Sequence, residues 1–484
     1  MLAASFNLSE LNGSDGFVIN GIDAGDDSGR SVSSAGDING DGIDDLIIGA
    51  RRADPNGIDS AGETYVVFGK SGGFDATLNL SQLDGSNGFV LNGIDERDFS
   101  GDPVSAAGDI NGDGIDDLII GAPFADPNGI HYAGETYVVF GKSGAFDATL
   151  NLSQLDGSNG FVLNGIDERD FSGDPVSAAG DINGDGIDDL IIGAPYADPN
   201  GIDSAGETYV VFGKSGGFDA SFNLSQLNGS NGFVLNGIDE GDSSGRSVSG
   251  AGDINGDGID DLIIGASSAD PNGIDSAGET YVVFGKSGGF DATLNLSQLN
   301  GSNGFVLNGI DFGDGSGDPV SGAGDINGDG IDDLIIGADR ANPNGKYRAG
   351  ETYVVFGNQG GFDASVDLSQ LNGSNGFVIN GIDFRDFSGY SVSGAGDING
   401  DGIDDLIIGA SSADPNGNYR AGETYIVFGN QGGFDASVDL SQLNGSNGFV
   451  LNGIDQRDTS GRSVSGAGDI NGDGIDDLII GAPE

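Results

Sequence analysis

Along this chain, short apolar runs stand between polar, glycine-rich segments in one order that returns every 72 residues without insertion or deletion. In the first copy the runs are Phe17-Val-Ile-Asn20, Ser31-Val-Ser-Ser34, Asp45-Leu-Ile-Ile-Gly-Ala50 and Glu63-Thr-Tyr-Val-Val-Phe-Gly69. Runs this short, bounded by turn residues, predict consecutive antiparallel strands. The Asp45 run is apolar on both faces and is expected to lie buried between neighbouring sheets. Helical periodicity is absent beyond a possible single turn at Leu-Ser-Gln-Leu. Copies begin near residues 5, 77, 149, 221, 293, 365 and 437, and the last is incomplete. Stretches 77–148 and 149–220 differ only at Phe124/Tyr196, His131/Asp203, Tyr132/Ser204 and Ala145/Gly217.

A four-strand unit of this size reads as a propeller blade, in which radial stacking buries both faces of each small sheet. A β-solenoid is the alternative, but its coils are usually shorter. The expectation is an all-β, seven-bladed β-propeller occupying residues 1–484 as a single domain. Seven blades of four need 28 strands, and 27 are visible, because the Thr-Tyr-Val/Ile-Val-Phe run occurs six times, last at Thr424 to Phe428. The last blade is expected to join Ser463 to Ala482 with the N-terminal strand Phe17 to Asn20, which hides both edges. Its third strand would be supplied by Leu2 to Leu8, be absent, or lie beyond Glu484.

Composition narrows the function. The 484 residues include 77 acidic against 17 basic side chains, a net charge of -60, which opposes nucleic acid and anionic membrane surfaces. There is no Cys, so neither disulfides nor thiolate ligands are available. No apolar run approaches the roughly 20 residues of a spanning helix, and residues 1 to 20 show no secretory signal pattern.

Every copy carries Asp-Ile-Asn-Gly-Asp-Gly-Ile-Asp-Asp between its second and third runs. Alternate positions of such a loop converge on one point, since the glycines let the backbone curl, and they offer the hard oxygens that Ca²⁺ prefers. The candidate ligands are Asp37, Asn39, Asp41, the carbonyl of Ile43, and Asp45 in the first copy. The equivalents are Asp109, Asn111, Asp113, Ile115 and Asp117; Asp181, Asn183, Asp185, Ile187 and Asp189; Asp253, Asn255, Asp257, Ile259 and Asp261. The remaining copies contribute Asp325, Asn327, Asp329, Ile331 and Asp333; Asp397, Asn399, Asp401, Ile403 and Asp405; Asp469, Asn471, Asp473, Ile475 and Asp477. Position 12, where an EF-hand needs a bidentate Glu, is Ile48 inside a strand, so the loop belongs to a β-hairpin. Magnesium fits less well, because it holds a small octahedral shell and keeps its water. Asp44 and its copies should point away from the ion, into solvent or onto a neighbouring blade. About seven structural Ca²⁺ ions are expected. At tenfold excess over Kd each would add about 1.4 kcal/mol.

Gly36-Asp37-Ile-Asn-Gly-Asp-Gly-Ile-Asp-Asp45-Leu-Ile-Ile-Gly-Ala50, followed by Gly62-Glu-Thr-Tyr-Val-Val-Phe68, resembles the FG-GAP repeat of the integrin α-subunit propeller. Gly121-Ala-Pro123, Gly193-Ala-Pro195 and Gly481-Ala-Pro483 match the namesake most fully, whereas Ser28-Gly29 stands where the pattern has Phe-Gly. The resemblance implies seven blades, calcium on one rim, and adhesion or ligand binding through the opposite face, in an extracellular or cell-surface setting.

Strand alternation places the calcium hairpins on one rim and the more variable loops on the other. Candidates for a ligand face there are Arg51, Arg52, Phe124, Tyr132, Tyr196, Arg340, Tyr347, Arg348, Tyr419 and Arg420. Aromatic and arginine side chains suit a protein hot spot or sugar stacking, whereas drift in exposed loops is the plain alternative. His131 is read as a solvated loop residue. The resulting expectation is a monomeric, non-catalytic adhesion or protein-binding scaffold, with a multivalent lectin as the alternative. Catalysis is opposed because every notable carboxylate recurs six or seven times and a single His stands in the chain.

Overall fold

The computed structural model describes residues 4–483. The chain forms a β-propeller with six blades, each a five-stranded sheet. The first blade orders Ser31–Gly36, Asp45–Ala50, Glu63–Val67 and Gly88–Asn92 as an antiparallel meander. Its fifth strand, Thr149–Asn151, is borrowed from further along the chain and pairs in parallel with Gly88–Asn92. That fifth strand was not visible as a strand in the sequence, because three residues beside a 3₁₀ turn carry no alternation. The turn is present where Leu-Ser-Gln-Leu predicted one, as at Leu80–Gln82.

Seven blades closed by Phe17 to Asn20 is therefore corrected. Only six Glu-Thr-Tyr-Val/Ile-Val runs exist, and a blade without one cannot connect its second strand to its fourth. The residues left over form two separate pairs: the hairpin Ser463–Gly468 with Asp477–Gly481, and the parallel pair Val18–Asn20 with Thr77–Asn79. No described strand joins them. The N-terminus does close the ring, but through Ser5–Asn7, which becomes the fifth strand of the sixth blade against Gly448–Asn452. Leu2 and Ala3, part of the segment considered for the missing strand, lie outside the described residues.

Innermost strands lie side by side in a closed circuit, with Ser463–Gly468 packed between Ser391–Gly396 and Ser31–Gly36. The second strands are buried end to end in all six blades, as two apolar faces require. Cores sit between blades rather than within them. Between the first and second blades Ile47, Val66, Phe89 and Leu91 meet Leu118, Ile120, Tyr137 and Val139. Each such side chain, fully buried, is worth about 1.5–3 kcal/mol. The tyrosine is satisfied within its own strand, Tyr137 donating to Glu135 at 2.6 Å.

Candidate functional site

Two rims follow from this meander. Residues 37–45 and their copies turn between the first and second strands on one rim. The segments joining second to third strands, and fourth strand to next blade, meet on the other, where the Arg97 and Phe99 amides donate to Asp59 and Ser60 carbonyls at 2.9 and 3.2 Å.

On the first rim a bulge between Ser34 and Gly36 ends the pairing and throws Asp37 into the loop. Asp37 accepts from the backbone N–H of Asp41 at 2.9 Å and of Gly42 at 2.7 Å, and Asp41 accepts from Ile43 at 3.1 Å. Asn39 donates to both carboxylate oxygens of Asp45 at 3.2 and 3.0 Å, and Asp45 also accepts from the Gly69 amide at 2.8 Å. The next five copies repeat this arrangement. In the seventh, Asp469 takes an additional bond from Gly472, and Asn471 reaches one oxygen of Asp477. The predicted side-chain ligands of each loop are thus gathered within one turn.

Among the described residues, no three His, Cys, Asp or Glu side chains converge as a ready metal cage. The donor set nonetheless fits a hard cation chemically, with carboxylate and amide oxygens on a curled backbone and no soft ligand. Rotation of the Asn39 amide would exchange its donor to Asp45 for an oxygen. Asp45 has no solvent exposure. Burial, with Asp41 and Asp37 adding to it against the hydrogen bonds, pushes its carboxyl up to about 8. Asp117, Asp189, Asp261 and Asp333 rise to the same level for the same first cause. A carboxylate held this way is charged at neutral pH only if a cation offsets it.

Asp44 and its copies take the neighbouring-blade alternative. Asp116 accepts from the backbone N–H of Asp37 at 2.8 Å, and the same bond runs from each copy to the next, including Asp469 to Asp44. The seven loops are therefore tied edge to edge around the ring, including the sector where no described strand joins Asp477–Gly481 to Val18–Asn20.

The opposite rim is unlike from blade to blade. Phe124 lies edge-on to Phe99 and Phe171, with centroids 5.2 Å away in both cases. Tyr132 packs on Phe124 at 5.5 Å, and Tyr196 on Phe171 at 5.4 Å. Phe124, Tyr132 and Tyr196 are thereby brought into one aromatic arc across consecutive blades. His131 lies over Tyr132 and beside Asp126 at 3.2 Å, exposed. A second group forms elsewhere: Tyr347 faces Phe384 at 5.7 Å, with Arg348 and Arg385 over these rings. Arg420 lies over Tyr419 at 5.5 Å. Arg51 and Arg52 are tied down, Arg51 to Asp102 at 2.8 Å and Asp27 at 3.3 Å, Arg52 to Asp27 at 3.2 Å. Arg340 approaches its neighbour Asp339 at 3.8 Å.

Sequence reasoning missed the residues that link these groups. Phe99 and Phe171 complete the arc, and one 72-residue column just before the innermost strand reads Arg30, Asp102, Asp174, Arg246, Asp318, Tyr390, Arg462. Arg30 pairs with Asp102 and Arg246 with Asp318, both at 2.9 Å, and Arg246 reaches the Tyr196 hydroxyl at 3.4 Å. The column was legible as a variable one directly before a uniform strand. Also missed were buried acidic groups beneath this rim: Asp98, with Glu135, Asp95 and Asp126 around it, is pushed up to about 7, by burial first and by those carboxylates next.

The molecule is thus a β-propeller whose blades each present an acidic hairpin loop on one rim and variable side chains on the other. The FG-GAP repeat model matches residues 28–67, 104–139, 176–211, 244–283, 320–355, 388–427 and 460–484, a little over half of the chain. The chain belongs to the FG-GAP repeat family. It is similar to integrin alpha pat-2 of Caenorhabditis elegans, 30% identical over 239 residues, which is 48% of this chain and 17% of that protein. Integrin alpha-5 of Xenopus laevis is 31% identical over 199 residues, 37% of this chain and 17% of that protein. Phosphatidylinositol-glycan-specific phospholipase D of Bos taurus is 32% identical over 173 residues, 36% of this chain and 19% of that protein. The matches span less than a fifth of these relatives. No helix among the described residues is long and apolar enough to cross a membrane.

Proposed function

We propose that this chain is an integrin-α-like, non-catalytic binding scaffold acting outside the cell, held by structural Ca²⁺ in its seven hairpin loops and recognising a protein through the opposite rim. The observation that carries this reading is the division of labour between rims: one acidic loop repeated seven times, against one aromatic arc made once. When bound, calcium would offset the charge of Asp37, Asp41 and Asp45 and their copies. Those residues would hold it, with Asn39 and the Ile43 carbonyl. A single arc of Phe99, Phe124, Tyr132, Phe171 and Tyr196 favours a protein partner over the lectin alternative, which calls for like pockets between like blades. The similarity to a phospholipase D covers 19% of that protein, and the non-catalytic assignment rests on the notable carboxylates recurring from copy to copy around the ring.

The test is binding of cell-surface proteins to the immobilised chain beside its Phe124→Ser/Tyr196→Ser variant, with a glycan array in parallel. Binding that falls at least tenfold in the variant, with no glycan enrichment, is expected. Equal binding by both chains removes the rim from the proposal, and glycan enrichment replaces the protein partner with a sugar.

A further inference from the structure

Arginine is distributed unequally around the variable rim. Every arginine up to Arg246 lies between 2.8 and 3.8 Å from a carboxylate. Among the described residues, Arg348, Arg385, Arg420, Arg457 and Arg462 form no ion pair. The sequence accounts for the difference. Arg97 has Asp59 at 3.1 Å and Glu96 at 3.7 Å. On the fifth and sixth blades the Asp59 position is held by Tyr347 and Tyr419, the Glu96 position by Phe384 and Gln456, and the arginine persists as Arg385 and Arg457. Ser60 is replaced at the same time by Arg348 and Arg420. Acids are thus absent and cations added at adjoining positions of two neighbouring blades.

Rings hold these guanidinium groups in place of carboxylates. Arg348 lies over Tyr347 at 5.3 Å, Arg385 over Phe384 at 5.1 Å, and Arg420 over Tyr419 and Arg462 over Tyr390, both at 5.5 Å. A ring attracts the cation through its face and orients it. The N–H donors radiate in the guanidinium plane, in a fork that fits a carboxylate. The rings themselves meet solvent, Phe384 being 63% exposed, Tyr419 49% and Tyr347 44%. The acids that remain nearby in sequence, Asp383, Asp386 and Asp414, recur in other blades as Asp95, Asp98 and Asp126, and none of them forms an ion pair with these arginines.

We propose that the variable rim of the fifth and sixth blades binds an acidic segment of a partner protein, whose carboxylates are taken by Arg348, Arg385, Arg420 and Arg457. The inference rests on reading this rim as a recognition face, but it uses none of the aromatic arc on the second and third blades. Charge complementarity carries it: a chain of net charge -60 holds five arginines without ion pairs along one stretch of rim. An acidic sugar would share the charge, but the ring faces on which it would stack carry guanidinium groups. Carboxylates of a peptide reach the forks edge-on and leave that stacking intact. Each exposed pair is weak, so affinity comes from several acting on one segment.

A labelled hexaglutamate peptide is titrated into the whole chain and followed by anisotropy, in calcium-containing buffer at about 0.15 M salt, where a Debye length of about 8 Å screens the acids of the far rim. Saturable binding is expected, with a hexaglutamine peptide inert. The variant Tyr347→Asp/Arg348→Ser/Tyr419→Asp/Arg420→Ser gives both blades the Asp59-Ser60 sequence on a backbone that already accepts it, φ being 52 at Arg348, 51 at Arg420 and 50 at Ser60. It should melt with the natural chain and bind hexaglutamate about tenfold more weakly or worse. Should it melt lower, Arg385→Gln/Arg457→Gln, at two exposed positions, must show the same loss. The Phe124→Ser/Tyr196→Ser variant should bind hexaglutamate as the natural chain does, so failure of the arc and failure of this site are told apart. Equal binding by the natural chain and the arginine variants overturns the proposal, as does absence of hexaglutamate binding. Binding of polygalacturonate without binding of hexaglutamate also overturns it and gives the surface to an acidic sugar.

Discussion

The loop rim and the variable rim of this propeller are made by the same strands, yet they obey opposite rules. On the loop rim, each Asp of the Asp44 column accepts from the backbone of the preceding loop at 2.8 Å in all seven copies. The first six loops are alike, and the seventh departs only in the contacts of Asp469 and Asn471. On the variable rim, a single column runs from Arg30 to Arg462 through Asp, Arg and Tyr, and aromatic rings cluster in only some blades. A carboxylate whose partner is the backbone of the neighbouring loop cannot be replaced in one blade without breaking a link of the ring. A rim loop whose partners are side chains of its own choosing is free to differ. Ring integrity therefore resides on one rim and individuality on the other.

Calcium gives the widest test of that separation. Seven sites at tenfold excess over Kd contribute about 10 kcal/mol together. With an unfolding entropy of about 2.1 cal/mol/K per residue, a chain of this length should gain about 10 °C in Tm. A melt of stripped protein with Ca²⁺, and with Mg²⁺ as the control, measures it. Binding to the partner should survive at temperatures below the melt, because the aromatic arc contains none of the ligands. A calcium-independent Tm would leave the loop rim a set of hydrogen-bonded acidic turns.

A smaller effect follows from acidity. In the stripped chain Asp45, Asp117, Asp189, Asp261 and Asp333 lie at about 8, and Asp98, Asp170, Asp242 and Asp386 at about 7, against 3.8 for an ordinary Asp; burial is the first cause in every case. Between pH 4 and 8 the folded chain holds protons that the unfolded chain has released. Stability from these groups is complete below pH 4 and is lost as pH rises through 7 to 8. Calcium requires the Asp45 column deprotonated, so the Tm gap between loaded and stripped protein should widen from pH 5 to pH 8. The Asp98 column beneath the other rim titrates without calcium and contributes equally to both melts. A gap that stays constant with pH removes the Asp45 column from the ligand set.

Much of this was readable in the chain, and the unreadable part has identifiable causes. Four strands per copy, the loop and the sorting of rims follow from period-two alternation and from Gly-Asp spacing, both local signals. The fifth strand was missed because Thr149–Asn151 is defined by its parallel neighbour Gly88–Asn92, some sixty residues earlier, and by nothing within itself. Seven blades were expected because seven Asp-Leu-Ile-Ile runs were counted. A sheet is limited by its rarest strand, and six Thr-Tyr-Val/Ile-Val runs allow six blades. In the candidate site, Phe124, Tyr132 and Tyr196 drew notice as variable aromatics in a loop, whereas Phe99 and Phe171 were passed over because their column also holds Asp27, Ser243 and Gly315. Only the ring, by placing successive copies side by side, reveals that a column is a neighbourhood.

The finest test compares one glycine from each rim. Gly36 has φ 61, and a Cβ on it would meet the Asp116 carboxylate at 2.2 Å. Gly57, on the variable rim, has φ 79 and open space around its Cβ position. Gly57→Ala should therefore cost only the left-handed backbone penalty, about 1–2 kcal/mol. Gly36→Ala adds to that penalty the displacement of Asp116 from the Asp37 amide, a part-buried charge-assisted bond worth a further 1.5–3 kcal/mol or so. Denaturant melts should show Gly36→Ala the more destabilised by about that increment. Adding Asp116→Gly to Gly36→Ala removes the clash, since Asp116 Cβ itself lies 2.8 Å from the new Cβ, while leaving the lost bond, so the double variant lies close to Asp116→Gly plus the backbone term. If the two glycine variants are equally stable, the coupling between neighbouring loops is not rigid, and the loop rim has more freedom to vary than its uniformity implies.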